Sequence, residues 1–163
     1  MIENGFYKLK NDYINLIHSV GSVYDDSKSR PIYCCIEDKN IKELFWCIPT
    51  SNIIHRSNDQ IKKIKKYCSL DKRNIKWAYY YIGHTDRPAI YKISNCLPII
   101  DKYIDNIYLS KGNHLFLKNK NDISIIRQKL SRILFTEKLY PDKFEQKITT
   151  IKNIMLRELG KNI

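Results

Sequence analysis

Two short stretches carry side chains able to work on a phosphodiester. Ser29-Arg30-Pro31-Ile32-Tyr33 sits where one strand is expected to begin, and Trp46-Cys47-Ile48-Pro49-Thr50-Ser51-Asn52 where the next one ends. If these strands pair as a hairpin, the start of the first lies beside the end of the second. Arg30 then approaches Thr50 and Ser51, with His55 and Arg56 just beyond. Cleaving RNA without a metal needs few parts: a group that takes the ribose 2′-OH proton, one that protonates the leaving 5′-oxygen, and cations that stabilise the phosphorane between them. Histidine suits the proton transfers because its ordinary pKa lies near neutrality. Arginine supplies charge and a planar fork matched to phosphate oxygens, and the Thr and Ser hydroxyls can hold the scissile group. The bland alternative is a Thr50-Ser51 that caps a strand-to-helix junction and an Arg30 that closes a surface ion pair. Spacing alone leaves both open.

Charge says more. The chain has 29 Lys+Arg against 17 Asp+Glu, a net +12 over 163 residues. Arg56 to Lys76 holds eight basic residues and only Asp59 and Asp71 as acids, so half the excess sits in that segment. Such a cation field concentrates polyanions. Nucleic acid is the leading partner and an anionic membrane the second, disfavoured because the basic segment lacks a strongly apolar opposite face. Lysine inflated by AT-rich coding would raise the total, but it does not explain why counter-ions are missing from one segment.

Other residues exclude chemistry. Cys34, Cys35, Cys47, Cys68 and Cys96 are odd in number and show neither Cys-x-x-Cys nor zinc spacing. They read as reduced, strand-filling hydrophobes, and no motif supports a catalytic cysteine. No paired carboxylates or metal-ligand pattern emerges, and no cofactor is called for. Pro141-Asp142 with Glu145 and Lys147 imitates a nuclease motif, but compressed onto a helix start. His84 shares a hairpin turn with Asp86 and Arg87 and is within reach of RNA, although a loop histidine is ordinarily just solvated. Met1-Ile2-Glu3-Asn4-Gly5 has no signal-peptide character, and no apolar run is long enough for a bilayer. A soluble, cytoplasmic protein of one domain (1–163) is expected.

The positioning elements follow from periodicity. Phe6 to Leu9 reads as a strand. Tyr13, Leu16, Ile17 and Val20 then make a helix capped by Asn11 or Asp12. Ile32 to Ile36 and Leu44 to Ile48 pair as strands, Asp59 to Cys68 is a basic helix, and Lys76 to Ile82 pairs with Ala89 to Ile93. A short strand or turn around Leu97 to Ile100 and a helix over Asp101 to Leu109 are expected. Two C-terminal helices carry the stripes Ile123, Ile126, Leu130, Ile133, Leu134 and Phe144, Ile148, Ile151, Met155, Leu159. The second starts at Pro141, with Asp142 and Glu145 as a capping box, and ends at Gly160. Phe45 and Trp46 read as strand packing rather than base platforms. The class is α+β, a mostly antiparallel sheet with helices packed on it.

The order of these pieces resembles a known family. A Phe-Tyr strand, a helix, a polar loop, Arg30-Pro31-Ile32-Tyr33, Phe45-Trp46-Cys47-Ile48-Pro49-Thr50-Ser51, a basic segment, and Asn95-Cys96-Leu97-Pro98-Ile99 before Lys102-Tyr103-Ile104 together resemble the type III toxins of the CptN, TenpN and ToxN/AbiQ group, over about residues 5–108. The resemblance implies a twisted antiparallel, partial-barrel sheet related to Kid/MazF. It also implies a metal-independent endoribonuclease that leaves 2′,3′-cyclic phosphate and 5′-hydroxyl ends. The implied partner is an RNA antitoxin of pseudoknot repeats that the toxin processes, in a closed assembly serving phage defence. Thr50 and Ser51 fall on the family's hydroxyl pair, and Arg30 where a basic residue precedes the strand. The ToxN branch has a lysine soon after the pair. Here Asn52-Ile53-Ile54 intervene, and His55 is preferred over Arg56 as the proton-exchanging group on chemical grounds. Tyr24 matches a tyrosine of the loop, and Arg56, Lys62, Lys63, Lys65, Lys66, His84 and Arg87 are the expected RNA contacts. A non-catalytic basic RNA- or DNA-binding module is the competing expectation.

Overall fold

In the computed structural model, which describes residues 1–23 and 32–161, β3 (Phe45–Asn52) is the strand on which the rest is hung. It pairs antiparallel with β2 (Ile32–Glu37) along one edge, Ile32 opposite Thr50 and Glu37 opposite Phe45. Along its other edge it has two partners. Phe45, Trp46 and Cys47 face β6 (Leu97–Ile99), and Thr50, Ser51 and Asn52 face β5 (Pro88–Lys92). Pro49, which has no N–H to give, falls in the gap between these partners, so that edge demands no ladder bond of it. Beyond β5 lies β4 (Tyr80–His84), and beyond β2 lie β1 (Phe6–Leu9) and β7 (Ile104–Ile107). Among the described residues this seven-stranded sheet is open, with β4 and β7 at the two ends of its main strand order and β6 paired on one side only, and every pairing in it is antiparallel. A two-stranded ribbon, β8 (Leu109–Ser110) and β9 (Asn113–His114), stands beside it.

Among the described residues four α-helices complete an α+β fold: α1 (Asn11–Ser19), α2 (Asn58–Cys68), α3 (Lys120–Leu139) and α4 (Ile148–Glu158). The centre of the sheet is buried on both faces, which is why β2 and β3 read as almost unbroken apolar runs instead of alternating ones. Tyr13 and Ile17 of α1, Ile126, Leu130 and Ile133 of α3, and Ile148, Ile151 and Met155 of α4 join those strands in one cluster. Phe45 and Trp46 are buried with them, as packing residues. Cys34, Cys35, Cys47 and Cys96 are free, buried thiols, and Cys35 and Cys47 face each other across the hairpin with sulfurs 3.1 Å apart. Burial pushes the Cys34, Cys35 and Cys96 thiols up, which keeps them protonated and poor nucleophiles.

Several expected boundaries move, each for a local reason. No side chain caps α1; Lys10, not Asn11 or Asp12, precedes it. Helix α2 starts one residue earlier than expected, at a true capping box of Ser57 and Gln60. The expected strand from Lys76 is a 3₁₀ turn over Ile75–Ala78, and β4 begins only at Tyr80. Asp101 to Leu109 is not a helix. A 3₁₀ turn at Asp101–Tyr103 leads into β7, because β1 still has an edge to be paired and Leu9, Lys8 and Tyr7 take Ile104, Asn106 and Ile107. The last helix begins at Ile148 rather than Pro141, after left-handed residues at Asp142 (φ 54°) and Lys147 (φ 58°). It ends as expected at Gly160 (φ 66°), where Lys161 N–H donates to Leu156 O and Gly160 N–H to Arg157 O, a Schellman motif.

The turn before β4 is held by Lys129 of α3, which is 2 % exposed. Its ammonium donates to the Trp77 carbonyl and lies 4.0 Å from the Trp77 ring centroid, and among the described residues no carboxylate pairs with it. Burial lowers its pKa. Between that lowered value and the ordinary lysine range the unfolded chain binds the extra proton, so the cost of burying the charge fades as pH rises through the interval. The stability difference between Lys129→Met and the parent should therefore shift in the parent's favour from pH 7 toward about 9.5, short of tyrosine ionisation. Chemical denaturation across that range checks it; a difference independent of pH would contradict it.

Candidate active site

Ser51 reaches the site because neighbouring residues on a strand point to opposite faces. Thr50 turns inward: it is 8 % exposed, and its hydroxyl donates to the Ile32 carbonyl at 2.8 Å. Ser51 turns the other way, and its Oγ accepts from Arg56 Nη2 at 3.2 Å. Arg56 is returned over the strand end by a tight reversal. Asn52 Oδ1 accepts from Ile54 N–H at 3.0 Å and caps a 3₁₀ turn at Ile53–His55, and Arg56 N–H donates to Ile53 O at 3.1 Å. Ser57 then caps α2, whose Ile64 is buried while its basic residues stay out.

Between α2 and the sheet lies a pocket of about 250 Å³. Register explains its composition. Ser51 lies opposite Ile90, Ile90 opposite Ile82, and Lys92 opposite Tyr80, so all share one face. Ile64 and Ile90 form the apolar part of the lining; Arg56, Lys63 and Lys92 bring three cations, and Gln60, Asn95 and Tyr80 bring neutral polar groups. None of these eight residues is acidic. Burial, aided by the neighbouring Tyr67, pushes the Tyr80 phenol up while Arg56 pulls it back, and the net rise keeps it a protonated donor at neutral pH. A concave, half-enclosed place rimmed by a guanidinium, two ammoniums, two amides and a phenol is chemically a receptor for an anion with several oxygens.

The structure places Arg56 and Lys63 in one pocket, bonds Arg56 to Ser51, which does not itself line the pocket, and separates others. Thr50 occupies the opposite face from Ser51. His55 is exposed at the end of its turn and does not line the pocket. Lys62, Lys65 and Lys66 are exposed along α2, and only Lys63 of the four lysines lines the pocket. His84 shares the face of Ser51 by register, two residues beyond Ile82, and is exposed at the hairpin end. Arg87, also exposed, pairs with Asp86 at 3.3 Å in the same turn. Tyr24 and Arg30 lie outside the described residues. Tyr80, Lys92 and Asn95 were not anticipated. The i, i+2 spacing of Ile90 and Lys92 places both on one face of β5, but only the β5–β3 register shows that Ser51 shares it.

Among the described residues, no group of three or more His, Cys, Asp or Glu side chains is arranged to hold a metal ion, and no helix is long and apolar enough to cross a membrane. No protein-family model matches the chain, and no curated protein matches it.

Proposed function

We propose that this chain is a metal-independent endoribonuclease toxin of the type III kind, held in check by an RNA antitoxin of pseudoknot repeats, with a sheet that corresponds to a partial barrel of the Kid/MazF type. What supports the reading is the acid-free pocket lined by Arg56, Lys63 and Lys92, with Arg56 bonded through one guanidinium nitrogen to the neighbouring Ser51. A scissile phosphate seated there is neutralised by Arg56 and Lys92 as the ribose 2′-oxygen attacks phosphorus and the bond to the 5′-oxygen breaks. Ser51 holds a phosphate oxygen, and Arg30 is proposed to add charge. His55, next to Arg56 in the chain, takes the 2′-OH proton and returns one to the leaving oxygen. Thr50 ties β3 to β2 beneath the site. Lys62, Lys65 and Lys66 offer an outward row for the flanking backbone, and His84, Arg87 and Tyr24 are proposed as further RNA contacts.

A binding module without chemistry is the second reading, favoured by the exposure of His55 away from the pocket. The two separate cleanly. The enzyme, incubated with cellular RNA in EDTA, is expected to yield fragments ending in 2′,3′-cyclic phosphate and 5′-hydroxyl. Intact RNA after long incubation supports the module, and a strict requirement for magnesium defeats the mechanism.

A further inference from the structure

We infer that Tyr67 is a stacking shelf for an unpaired nucleobase of single-stranded RNA, placed next to the phosphate pocket; this rests on the functional reading above and extends it. Two residues that line the pocket, Lys63 and Tyr80, also contact Tyr67. The Tyr80 ring lies nearly parallel to the Tyr67 ring (23°) with centroids 6.2 Å apart. Tyr79 meets Tyr67 edge-on at 6.0 Å and itself rests edge-on against the core residue Phe144. The ring is thereby fixed in orientation and backed by the interior, yet it remains partly exposed.

Two ammoniums converge on it. Lys63 Nζ is 5.9 Å and Lys76 Nζ 5.6 Å from its centroid, and neither lysine has a carboxylate partner among the described residues. Cation–π contact of this sort is worth little at an exposed site. A phosphate holds an ammonium more strongly. When a strand arrives, Lys63 swings from the ring to the phosphate in the pocket and Lys76 to a neighbouring one, which uncovers the ring. The base attached to the pocketed nucleotide then lies within reach of Tyr67, and only a base free of a pairing partner can lie flat on it. Stacking needs a π-face and no particular base-edge pattern, so the shelf selects unpaired over paired segments without fixing sequence.

The test uses short 2′-O-methyl oligoribonucleotides, which lack the attacking hydroxyl and survive, and abasic oligomers with the same backbone. The full-length chain is expected to bind the base-containing oligomer about tenfold more tightly than the abasic one. Tyr67→Ala should remove that advantage while leaving abasic binding unchanged, and Tyr67→Phe should keep it. Equal binding of the two oligomers by the parent protein overturns the shelf, as does a Tyr67→Ala that weakens both alike. Arg56→Ala sorts the two ideas. If it leaves abasic binding unaltered, the phosphate pocket is wrong even where the base advantage persists. RNA that is bound base-dependently but never cut removes the enzyme and keeps the shelf.

Discussion

Arg56→Ala is expected to lower RNA cleavage about 10²–10³-fold while the free energy of unfolding stays within about 1 kcal/mol of the parent. Arg56 is only partly buried, and among the described residues its side chain's one hydrogen bond is to Ser51 Oγ, so little structure depends on it. In the reaction, by contrast, it is the one guanidinium lining the pocket, positioned before substrate arrives and aimed where charge develops. Arg56→Lys keeps the charge but not the fork and should recover part of the rate. Ser51→Ala, which cuts the guanidinium loose, is expected to fall in the same direction. Single-turnover cleavage of a labelled RNA measures all three. A parental rate in Arg56→Ala would remove this pocket from the chemistry.

Glu137→Ala should cost about 2–4 kcal/mol of stability, a loss that Glu137→Gln largely avoids. Glu137 is 3 % exposed at the end of α3, and its Oε1 accepts from Asp142 N–H at 2.6 Å, Thr149 N–H at 3.2 Å and the Thr149 hydroxyl at 2.9 Å. Those donors belong to the chain reversal after α3 and to the first turn of α4, where a negative charge also suits the helix dipole. Truncation leaves them part-buried and unmet. Glutamine retains the acceptor, and its amide takes the place of Oε2, which has no partner among the described residues. Urea unfolding with an unchanged slope gives the difference directly. A Glu137→Ala midpoint equal to the parent's would show that water or relaxation serves those donors.

The same residue explains one boundary the sequence hides. Pro141, Asp142 and Glu145 imitate a helix start, but the carboxylates that serve α4 come from Glu137, on the preceding helix, and from Asp142, which accepts from Thr150 N–H at 3.1 Å. A capping pattern confined to four residues cannot register them. Likewise Tyr103, Ile104 and Ile107 offer a helical spacing, and only the unpaired edge of β1 makes the segment extended. The β2–β3 hairpin and α2 were legible because their signals are local: an apolar run, a Pro break, a basic stripe about Ile64. Half the site was legible for the same reason. Ser51 and Arg56 are five residues apart, whereas Lys92 and Asn95 arrive through strand pairing and leave no mark near Ser51. Thr50 and Ser51 read as a pair, yet strand alternation alone was enough to set them on opposite faces.

The double partnership of β3 bears on how recognition can work. A strand bonded along one edge to β2 and along the other to both β5 and β6 cannot peel away piecemeal, since loosening any stretch breaks ladders on two sides. The floor beneath Ser51 is therefore an anvil rather than a hinge. Adaptation to differently shaped polyanions falls to the long, pliant arms of Lys63 and Lys92 above it, which can re-aim without the backbone yielding.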